Sequence, residues 1–350
     1  MTEALHFLVP GSLEACTGGT LYDARMIAAA RAAGTVVPVH ELPGRFPDAD
    51  AVARDALHAA LGAVPDGAVA VVDGLALGDQ PDTAIRHAGR LRLLALVHHP
   101  LADETGVDAT TRQRFLEREP RALHACRGVI VTSAFTAERL QALGLPAGRI
   151  RIAEPGTAPA APARGPGPGA PPALLCVGSL TPRKGQDVLV AALATLAQRH
   201  WTCTLAGCTD ADPAFAAGVR ERIRATGLGD RITLAGQCPP EALDALLAGA
   251  SIFVLPSRYE GYGMALTEAL ARGLPVVSTT GGAIPRTVPA DAGRLVAPGD
   301  HRALARALDE LLQDPAARAA AAEAARRHAA GLPDWPRAAG QFARAVEALS

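Results

Sequence analysis

A short segment in the second half of the chain carries residue types that bind phosphate. It reads Val177-Gly-Ser-Leu-Thr-Pro-Arg-Lys-Gly185 and lies between a predicted strand and a predicted helix. Gly178 lets the chain leave the strand sharply, and Gly185 precedes a helix start, whose free N–H groups and positive dipole end favour an anion. Arg183 adds a forked donor and Lys184 a point charge, which together suit a diphosphate. A solvated basic loop is the alternative.

Lys184 is the single lysine among 34 basic residues. The excess of Ala, Gly, Pro and Arg is typical of coding bias, which replaces lysine by arginine wherever charge alone matters. A lysine kept in that background indicates that a compact ammonium is needed at this place. Chance retention is the other explanation.

A second segment, residues 251–273, has the order strand, glycine-bearing loop, helix. Gly261 and Gly263 permit close backbone approach to a ligand. The N–H groups near Met264 and Ala265 then point at that ligand, as in the first segment.

Two carboxylates belong to this second segment, Glu260 in the loop and Glu268 about one turn into the helix. The neighbours of Glu268 are apolar, which is a costly setting for a carboxylate that lacks hydrogen-bond donors. Hydroxyl groups of a ligand are one source of such donors. An ordinary exposed helical glutamate is the alternative.

The elements that position these residues alternate between strand and helix in both halves, which predicts α/β domains with mostly parallel sheets. Ligands of such sheets bind beyond the carboxyl ends of the strands. The predicted strands are Leu5–Val9, Thr35–His40, Ala68–Val72, Leu91–Val97, Gly128–Thr132, Ile150–Ala153, Ala173–Val177, Trp201–Ala206, Arg231–Ala235, Ser251–Leu255, Pro275–Ser278 and Arg294–Val296. The predicted helices are Tyr22–Ala33, Ala49–Ala63, Ala134–Leu143, Gln186–Gln198, Ala214–Thr226, Pro240–Ala248, Met264–Ala271, His301–Gln313, Ala316–Ala330 and Pro336–Leu349.

The Pro/Gly-rich stretch between the halves lacks hydrophobic periodicity and is predicted to be a linker, residues 159–172. We therefore expect an N-terminal Rossmann-like domain at 1–158 and a C-terminal one at 173–332, facing each other across a cleft. The prediction leaves open that helix 336–350 packs back on the first domain.

Composition excludes several classes of protein. The net charge of −1 gives no indication of a nucleic-acid partner. No stretch approaches the roughly 18 apolar residues of a membrane span, and the N-terminus lacks the basic region of a signal peptide. The six cysteines form no Cys-x-x-Cys pair, so free thiols in a reducing cytoplasm are expected.

The combination of Gly-Ser-Leu-Thr-Pro-Arg-Lys-Gly with Glu260-x7-Glu268 resembles the donor half of the family 4 retaining glycosyltransferases, which have the GT-B fold. The resemblance continues through Asp230–Gly236, Ala269–Val277, Thr280–Pro285 and Gly293–Asp300. It implies that Arg183 and Lys184 bind the donor diphosphate. Relatives often have an acidic residue after Gly-Gly-Ile-Pro, where this chain has Arg286, so no role is assigned there.

The resemblance also implies that Glu260 and the amides of Gly263–Ala265 hold the transferred sugar, while Glu268 takes the ribose hydroxyls. The full set of donor-binding candidates is Gly18, Gly19, Gly178, Gly261, Tyr262, Gly263, Met264, Ala265, Leu266 and Glu268.

The first half resembles the family less closely. Relatives use a glycine loop such as Gly18-Gly19 to cap the donor phosphates and admit the acceptor. They also keep a histidine near the sugar at the strand end that here carries His98 and His99, and both remain candidates for a catalytic donor contact. The candidates for acceptor contacts are Asp103 and Glu104.

Three weaker motifs are given ordinary interpretations. Asp48-Ala-Asp50 and Asp210-Ala-Asp212 imitate an Asp-x-Asp metal motif, but Asp is a common cap at a helix start, so no metal is predicted. The arginine-rich stretch Thr110–Arg127 contains Pro120, which is expected to interrupt any amphipathic helix. A solvated surface is therefore favoured there over peripheral membrane contact.

These observations predict a cytoplasmic retaining glycosyltransferase that moves a hexosyl group from a nucleotide sugar, with UDP- and GDP-sugars first, to a small-molecule or saccharide acceptor. The resemblance implies a front-face mechanism without metal or other cofactor. The alternatives are a nucleotide-sugar epimerase of the same fold and a non-catalytic sugar-nucleotide-binding protein. A nicotinamide dehydrogenase is excluded because neither half has Gly-x-Gly-x-x-Gly after its first strand.

Overall fold

The computed structural model describes residues 4–15 and 17–350. The predicted free thiol of Cys16 and the N-terminal residues 1–3 lie outside that range. The chain divides into two compact units, one formed by Met1–Gly156 with Pro333–Ser350, the other by Thr157–Leu332.

Twelve strands are described, six in each unit. Those of the first unit are β1 (Leu5–Pro10), β2 (Val39–Leu42), β3 (Val69–Asp73), β4 (Arg92–Val97), β5 (Gly128–Val131) and β6 (Ile150–Ile152). Those of the second unit are β7 (Ala173–Val177), β8 (Thr202–Ala206), β9 (Ile232–Gly236), β10 (Ile252–Leu255), β11 (Val276–Thr279) and β12 (Gly293–Val296).

The described helices flank these strands. They are α1 (Gly18–Ala32), α2 (Ala51–Ala63), α3 (Gly74–Leu77), α4 (Pro81–Ala88), α5 (Ala109–Ala125), α6 (Ala134–Ala142), α7 (Gln186–Thr195), α8 (Pro213–Ala225), α9 (Pro240–Gly249), α10 (Met264–Ala271), α11 (Ile284–Thr287), α12 (His301–Gln313), α13 (Pro315–Ala329) and α14 (Trp335–Leu349). Short 3₁₀ turns lie at Leu101–Asp103, Ala147–Arg149 and Pro182–Lys184.

In the first unit the strand order is β2-β1-β3-β4-β5-β6, and each neighbouring pair is parallel. Successive residues of a strand face opposite sides of the sheet. Leu8 accordingly packs into one apolar cluster with Ala70 and Val72, and Phe7 into another with Val69 and Val71. Helix α14 contributes Phe342 to the second cluster, so the C-terminal helix belongs to the first unit.

In the second unit the order is β12-β11-β10-β7-β8-β9, again parallel throughout. The direction of winding reverses between β7 and β10, which is the classical place for a ligand in an open α/β sheet. The predicted fold class, two Rossmann-like α/β units, is confirmed.

The stretch predicted as a linker, residues 159–172, contains no helix or strand. It belongs to the second unit, where Ala163 N donates to Arg272 O at 2.8 Å and Arg164 N donates to Ala248 O at 2.8 Å.

Two predicted elements are wrong in detail. The strand predicted at Thr35–His40 begins only at Val39, because Pro38 has no N–H to donate to the ladder. The interruption predicted at Pro120 does not occur, since α5 runs through it. Burial of Phe115 and Leu123 outweighs the one hydrogen bond that the proline forfeits.

Helices α3, α4, α5 and α11 were not among the predicted helices. The capping interpretation of the two Asp-x-Asp motifs is confirmed, since Asp50 accepts from Ala53 N at 2.8 Å and Asp212 from Phe215 N at 2.9 Å.

Candidate functional site

The two sequence segments singled out for chemistry meet at the reversal point of the second sheet. One loop leaves the carboxyl end of β7 and the other leaves β10, and these strands are neighbours. The loops are also joined directly, because Arg258 N donates to Arg183 O at 2.7 Å.

Glu260 contacts both basic side chains of the loop that follows β7. Lys184 Nζ lies 2.6 Å from Glu260 Oε1, and Arg183 donates from one terminal nitrogen to Glu260 Oε2 at 3.3 Å. The hydroxyl of Ser257 donates to Glu260 Oε1 at 2.6 Å. The side chain of Glu260 is 7% exposed and that of Lys184 is 15% exposed, so this ion pair is largely withdrawn from water.

Burial acts on both charges of this pair. Burial alone would raise the pKa of Glu260, but Lys184, Arg183 and Ser257 outweigh it and lower that pKa to about 2. Burial lowers the pKa of Lys184, an effect that Glu260 opposes. The ion pair therefore holds a carboxylate and an ammonium in a nearly dry place, where a second anion would interact strongly with the ammonium.

Glycine is required at the start of each helix that follows these loops. Gly185 has φ +70°, and a Cβ there would lie 2.2 Å from the carbonyl oxygen of Pro256. Gly263 has φ +97°, and a Cβ there would lie 2.8 Å from Leu266 Cδ1. Both glycines are the N-caps of the following helices.

The starts of α7 and α10 therefore have no side-chain cap. The third residues of these helices, Val188 and Leu266, donate their N–H groups to the N-cap carbonyls at 2.9 Å. The first two N–H groups of each helix are left for other acceptors, and the helix dipoles favour a negative charge beside them. By contrast, the first helix of the other unit is capped by its own Thr17, whose hydroxyl accepts from Thr20 N at 3.2 Å.

The remaining donor-side candidates differ in what they offer. Gly178 lies after β7, and its carbonyl accepts from Gln186 Nε2 at 3.2 Å. Leu266 is fully buried and its N–H donates to Gly263 O at 2.9 Å, so both its side chain and its N–H are used internally. The others follow the β10 loop: Gly261 is buried, while Tyr262, Met264, Ala265 and Glu268 are half-buried.

The first unit holds a second buried cluster at its own reversal point, between β1 and β3. His98 Nε2 lies 3.2 Å from Asp23 Oδ1 and 3.6 Å from Asp73 Oδ2. Asp23 is completely buried, and both of its carboxyl oxygens lack a well-aligned hydrogen bond within the described residues. Gly19 lies against the same imidazole, since a Cβ there would be 3.2 Å from His98 Cδ2.

Electrostatics in this cluster favours a charged histidine. Burial alone would lower the pKa of His98, but the carboxyl groups of Asp23 and Asp73 raise it to about 10. Burial raises the pKa of Asp23. The protonation of Asp23 and that of His98 are therefore linked. The ligand atoms of Asp23, Asp73 and His98 lie within 4.8 Å of one another, close enough to surround a metal ion, and the absence of a metal stays a prediction.

Asp23 and Asp73 are functional candidates that the sequence reasoning missed. Asp73 is the last residue of the buried strand β3 and caps α3, accepting from Leu75 N at 2.7 Å. Asp23 lies on the helical stripe that also carries Tyr22, Met26 and Ile27, which are buried. A carboxylate on such a stripe is unusual, and that placement could have drawn attention to it.

The two adjacent histidines have different partners. His99 Nε2 lies 3.0 Å from Glu104 Oε2, whereas Asp103 forms a two-point ion pair with Arg139, at 2.9 and 2.7 Å. The predicted acceptor residues Asp103 and Glu104 thus already engage side chains of their own unit. Gly18 opens α1 next to Gly19.

Comparison with known proteins agrees with this architecture. A sucrose-phosphate synthase from Thermosynechococcus elongatus superimposes with a TM-score of 0.79 at 25% identity, over 99% of this chain and 100% of that one. The lipopolysaccharide glycosyltransferase WaaG superimposes with a TM-score of 0.72 at 18% identity, over 99% of each chain. The fold is therefore that of GT-B glycosyltransferases.

The sequence profile described as "Glycosyl transferases group 1" matches residues 161–328, nearly all of the second unit. The second unit is therefore similar to the glycosyl transferases group 1 family.

Curated relatives match over part of their length. The lipopolysaccharide core biosynthesis mannosyltransferase LpcC of Rhizobium leguminosarum is 35% identical over 44% of each chain. A GDP-mannose-dependent phosphatidylinositol monomannoside mannosyltransferase of Mycolicibacterium smegmatis is 35% identical over 47% of this chain and 44% of its own. The matches span less than half of these relatives.

Proposed function

We propose that the chain is a retaining glycosyltransferase that transfers a hexosyl group from a nucleotide diphosphate sugar. The observation that carries the proposal is the pairing of Arg183 and Lys184 with two uncapped helix starts at the reversal point of the second sheet. Two cations and converging N–H groups are what a diphosphate needs. The match of the second unit to the group 1 glycosyltransferase profile and the GT-B fold both support this function.

A mannosyl donor is the first candidate for the sugar. Relatives of the second unit include proteins named as mannosyltransferases, and two of those names specify GDP-mannose. We therefore propose GDP-mannose as donor, with a saccharide or glycolipid acceptor, since the relatives are named for lipopolysaccharide core and phosphatidylinositol mannoside.

The proposed reaction keeps the configuration of the sugar. The bond between C1 and the phosphate oxygen breaks, the acceptor oxygen bonds to C1 from the same face, and the acceptor proton passes to the departing phosphate. Lys184, Arg183 and the N–H groups of α7 and α10 stabilise the charge that develops on the diphosphate. No metal ion takes part in this scheme.

Glu260 has two roles in the proposal. It orients the ammonium of Lys184, and its oxygens accept hydrogen bonds from sugar hydroxyls. Glu268, one turn into α10, takes the ribose hydroxyls. His98 provides a charged donor to the sugar or to the acceptor, with Asp23 and Asp73 holding its ring.

We propose a reducing compartment, the cytoplasm, as the location. The described cysteines are free, and three of them, Cys126, Cys176 and Cys203, are buried thiols. Along the described chain, no helix combines the length and the apolar character that crossing a bilayer requires.

A thermal-shift screen with GDP-mannose, UDP-glucose and ADP-glucose tests the donor, because a ligand of the folded state raises Tm by mass action. We expect GDP-mannose to raise Tm most. No rise with any of them would contradict the proposal.

The fate of the bound donor then separates the alternatives. A transferase releases GDP and yields an α-mannoside with an acceptor such as a mannose oligosaccharide. Conversion of the sugar in donor-only incubations would indicate an epimerase, and binding without any turnover would indicate a sensor.

A further inference from the structure

The second unit contains a cavity that the proposed function does not use. Its volume is about 420 Å³. It opens beside Pro172, Ser251 and Leu274, which precede β7, β10 and β11. The cavity therefore lies at the amino ends of these strands, at the opposite edge of the sheet from Lys184.

The proline-rich stretch and a C-terminal helix form the walls of this cavity. Arg164 and Gly165 are fixed by backbone hydrogen bonds from their N–H groups to Ala248 O, at 2.8 and 3.2 Å. On the other side, α13 presents Ala319 and Ala322, whose small side chains leave the space open.

The charged residues that line the cavity are all positive. Arg164, Arg318 and Arg326 line the cavity, and no Asp or Glu does so among the described residues. Arg318 and Arg326 are eight residues apart on α13 and thus share one face of the helix. Ser251 adds a hydroxyl that accepts from Ala173 N at 3.2 Å, which leaves its own proton to donate.

Two of these three arginines lack the carboxylate partner that several other arginines of the second unit have. Arg199, Arg258 and Arg294 each lie within 3.1 Å of a carboxylate. In the described part of the chain, neither Arg164 nor Arg318 has a carboxylate within 4.0 Å, although Arg318 donates to Leu311 O at 2.7 Å. Arg326 pairs with Glu323 three residues earlier on α13, which is not part of the lining.

We propose that this cavity is a binding site for a small phosphate-bearing molecule, separate from the nucleotide-sugar site. Arg164, Arg318, Arg326 and the hydroxyl of Ser251 line the cavity, no carboxylate does so among the described residues, and guanidinium forks match phosphate oxygens. The volume suits a small metabolite, since ligand sites commonly measure about 300–1,000 Å³. A soluble phosphate ester and a lipid headgroup both carry such a phosphate, and the vesicle experiment below separates them.

Calorimetric titration of inorganic pyrophosphate into the whole protein, in low-salt buffer without phosphate, tests the proposal. Pyrophosphate is also expected to bind at the Lys184 loop. Variants of each site are therefore compared, so that binding at one can be told from binding at the other. We compare wild type, Lys184→Ala, the double variant Arg164→Gln with Arg318→Gln, and the control Arg220→Gln. Arg220 is exposed on α8 and does not line the cavity.

The cavity site is expected to persist in Lys184→Ala and Arg220→Gln. In the Arg164/Arg318 double variant its affinity should fall by about a hundredfold, about tenfold for each charge-assisted contact, while the Tm stays close to that of wild type. Equal affinity for this site in wild type and double variant would overturn the proposal. So would a titration in which all binding vanishes with Lys184→Ala.

A second experiment, with lipid vesicles, distinguishes a soluble phosphate ester from a lipid headgroup. Sedimentation with phosphatidylglycerol vesicles is measured for the same variants. No vesicle binding, together with the pyrophosphate result above, supports a soluble ligand. Vesicle binding that the double variant loses, without a pyrophosphate site, would overturn the soluble ligand in favour of a membrane headgroup.

Discussion

The ammonium of Lys184 lies 2.6 Å from Glu260 Oε1, although the two residues are 76 positions apart in the chain. The contact joins the loop after β7 to the loop after β10, so one ion pair fixes both sides of the proposed diphosphate site. Both charges are largely buried, and each is therefore costly to leave without the other.

Lys184→Ala is expected to reduce turnover by about a hundredfold or more, because a preorganised charge beside the leaving diphosphate is lost. It should also destabilise the protein, since Glu260 is left buried without its ammonium, at a cost of about 3–5 kcal/mol. Steady-state kinetics and urea unfolding measure the two effects.

The double variant Lys184→Ala with Glu260→Gln distinguishes the two causes. It should recover part of the stability but none of the rate. Recovery of the rate as well would show that Lys184 acts only through the fold.

Glu260→Gln should change how stability depends on pH. The pKa of Glu260 is lowered to about 2 from an ordinary value of 4.5, so its carboxylate stabilises the fold above pH 4.5 and loses that effect as pH falls towards 2. Wild type should therefore exceed the variant in unfolding free energy by a few kcal/mol at pH 7, since one pKa unit corresponds to about 1.36 kcal/mol.

Urea unfolding at pH 7 and pH 3 should show this difference shrinking. Glu241→Gln, an exposed position at the start of α9, is the control and should show no comparable change. A wild-type advantage of the same size at both pH values would contradict the account.

Gly185→Ala should disrupt the contact between the two loops. The substitution forces a side chain into positive φ, costing about 1–2 kcal/mol, and drives a Cβ to within 2.2 Å of Pro256 O. We expect a stability loss above that figure and weaker binding of nucleotide diphosphates. Gly218→Ala, on the exposed face of α8 with no atom within 4 Å of the new Cβ, should lose neither. Wild-type behaviour of Gly185→Ala would argue against a rigid loop.

Asp23→Asn should lower the pKa of His98. The carboxyl groups of Asp23 and Asp73 raise that pKa to about 10 against the opposing effect of burial, so the wild-type imidazole should stay protonated through pH 8. Titration of the histidine side-chain NMR signals between pH 5 and 9 measures this. In Asp23→Asn the midpoint of the His98 signal should move to lower pH. An unmoved midpoint would show that Asp23 does not act on the imidazole.

Glu119→Gln should make the stability of the protein less dependent on pH. Glu119 is buried on α5 and accepts from Leu101 N at 2.9 Å, and burial raises its pKa to about 8 from 4.5. Since the folded state holds the proton more tightly, wild-type stability should fall as pH rises from about 4.5 to 8. The amide oxygen of Gln keeps the hydrogen bond without that titration.

Unfolding free energies of wild type and Glu119→Gln at pH 5 and pH 8 check this expectation. Between pH 5 and pH 8 the unfolding free energy of the variant should rise by a few kcal/mol relative to that of wild type. Glu117→Gln, exposed on the same helix, should follow wild type. Parallel pH profiles for wild type and Glu119→Gln would contradict it.

Sequence patterns were sufficient for the elements that position the donor-side loops. Alternation of apolar strands and helices predicted both sheets, and the bounds of α10 and α12 agree with the structure. These patterns work because hydrophobic periodicity and glycine positions are local properties.

Other features depend on contacts distant in sequence. The cluster of Asp23, Asp73 and His98 exists only because the strand order places the ends of β3 and β4 beside α1. The continuity of α5 through Pro120 depends on burial of that helix, which propensity does not contain. The arginine-lined cavity likewise arises from folding of the proline-rich stretch onto the second unit.

Comparison of nucleotide diphosphates with monophosphates tests the central claim most directly. GDP and GMP, and in parallel UDP and UMP, are titrated by calorimetry into wild type, Lys184→Ala and the control Arg220→Gln. If Lys184 and Arg183 hold the diphosphate, the preferred diphosphate should bind wild type and control at least tenfold more tightly than its monophosphate, and Lys184→Ala should lose most of that advantage. A full diphosphate preference retained in Lys184→Ala would contradict the account.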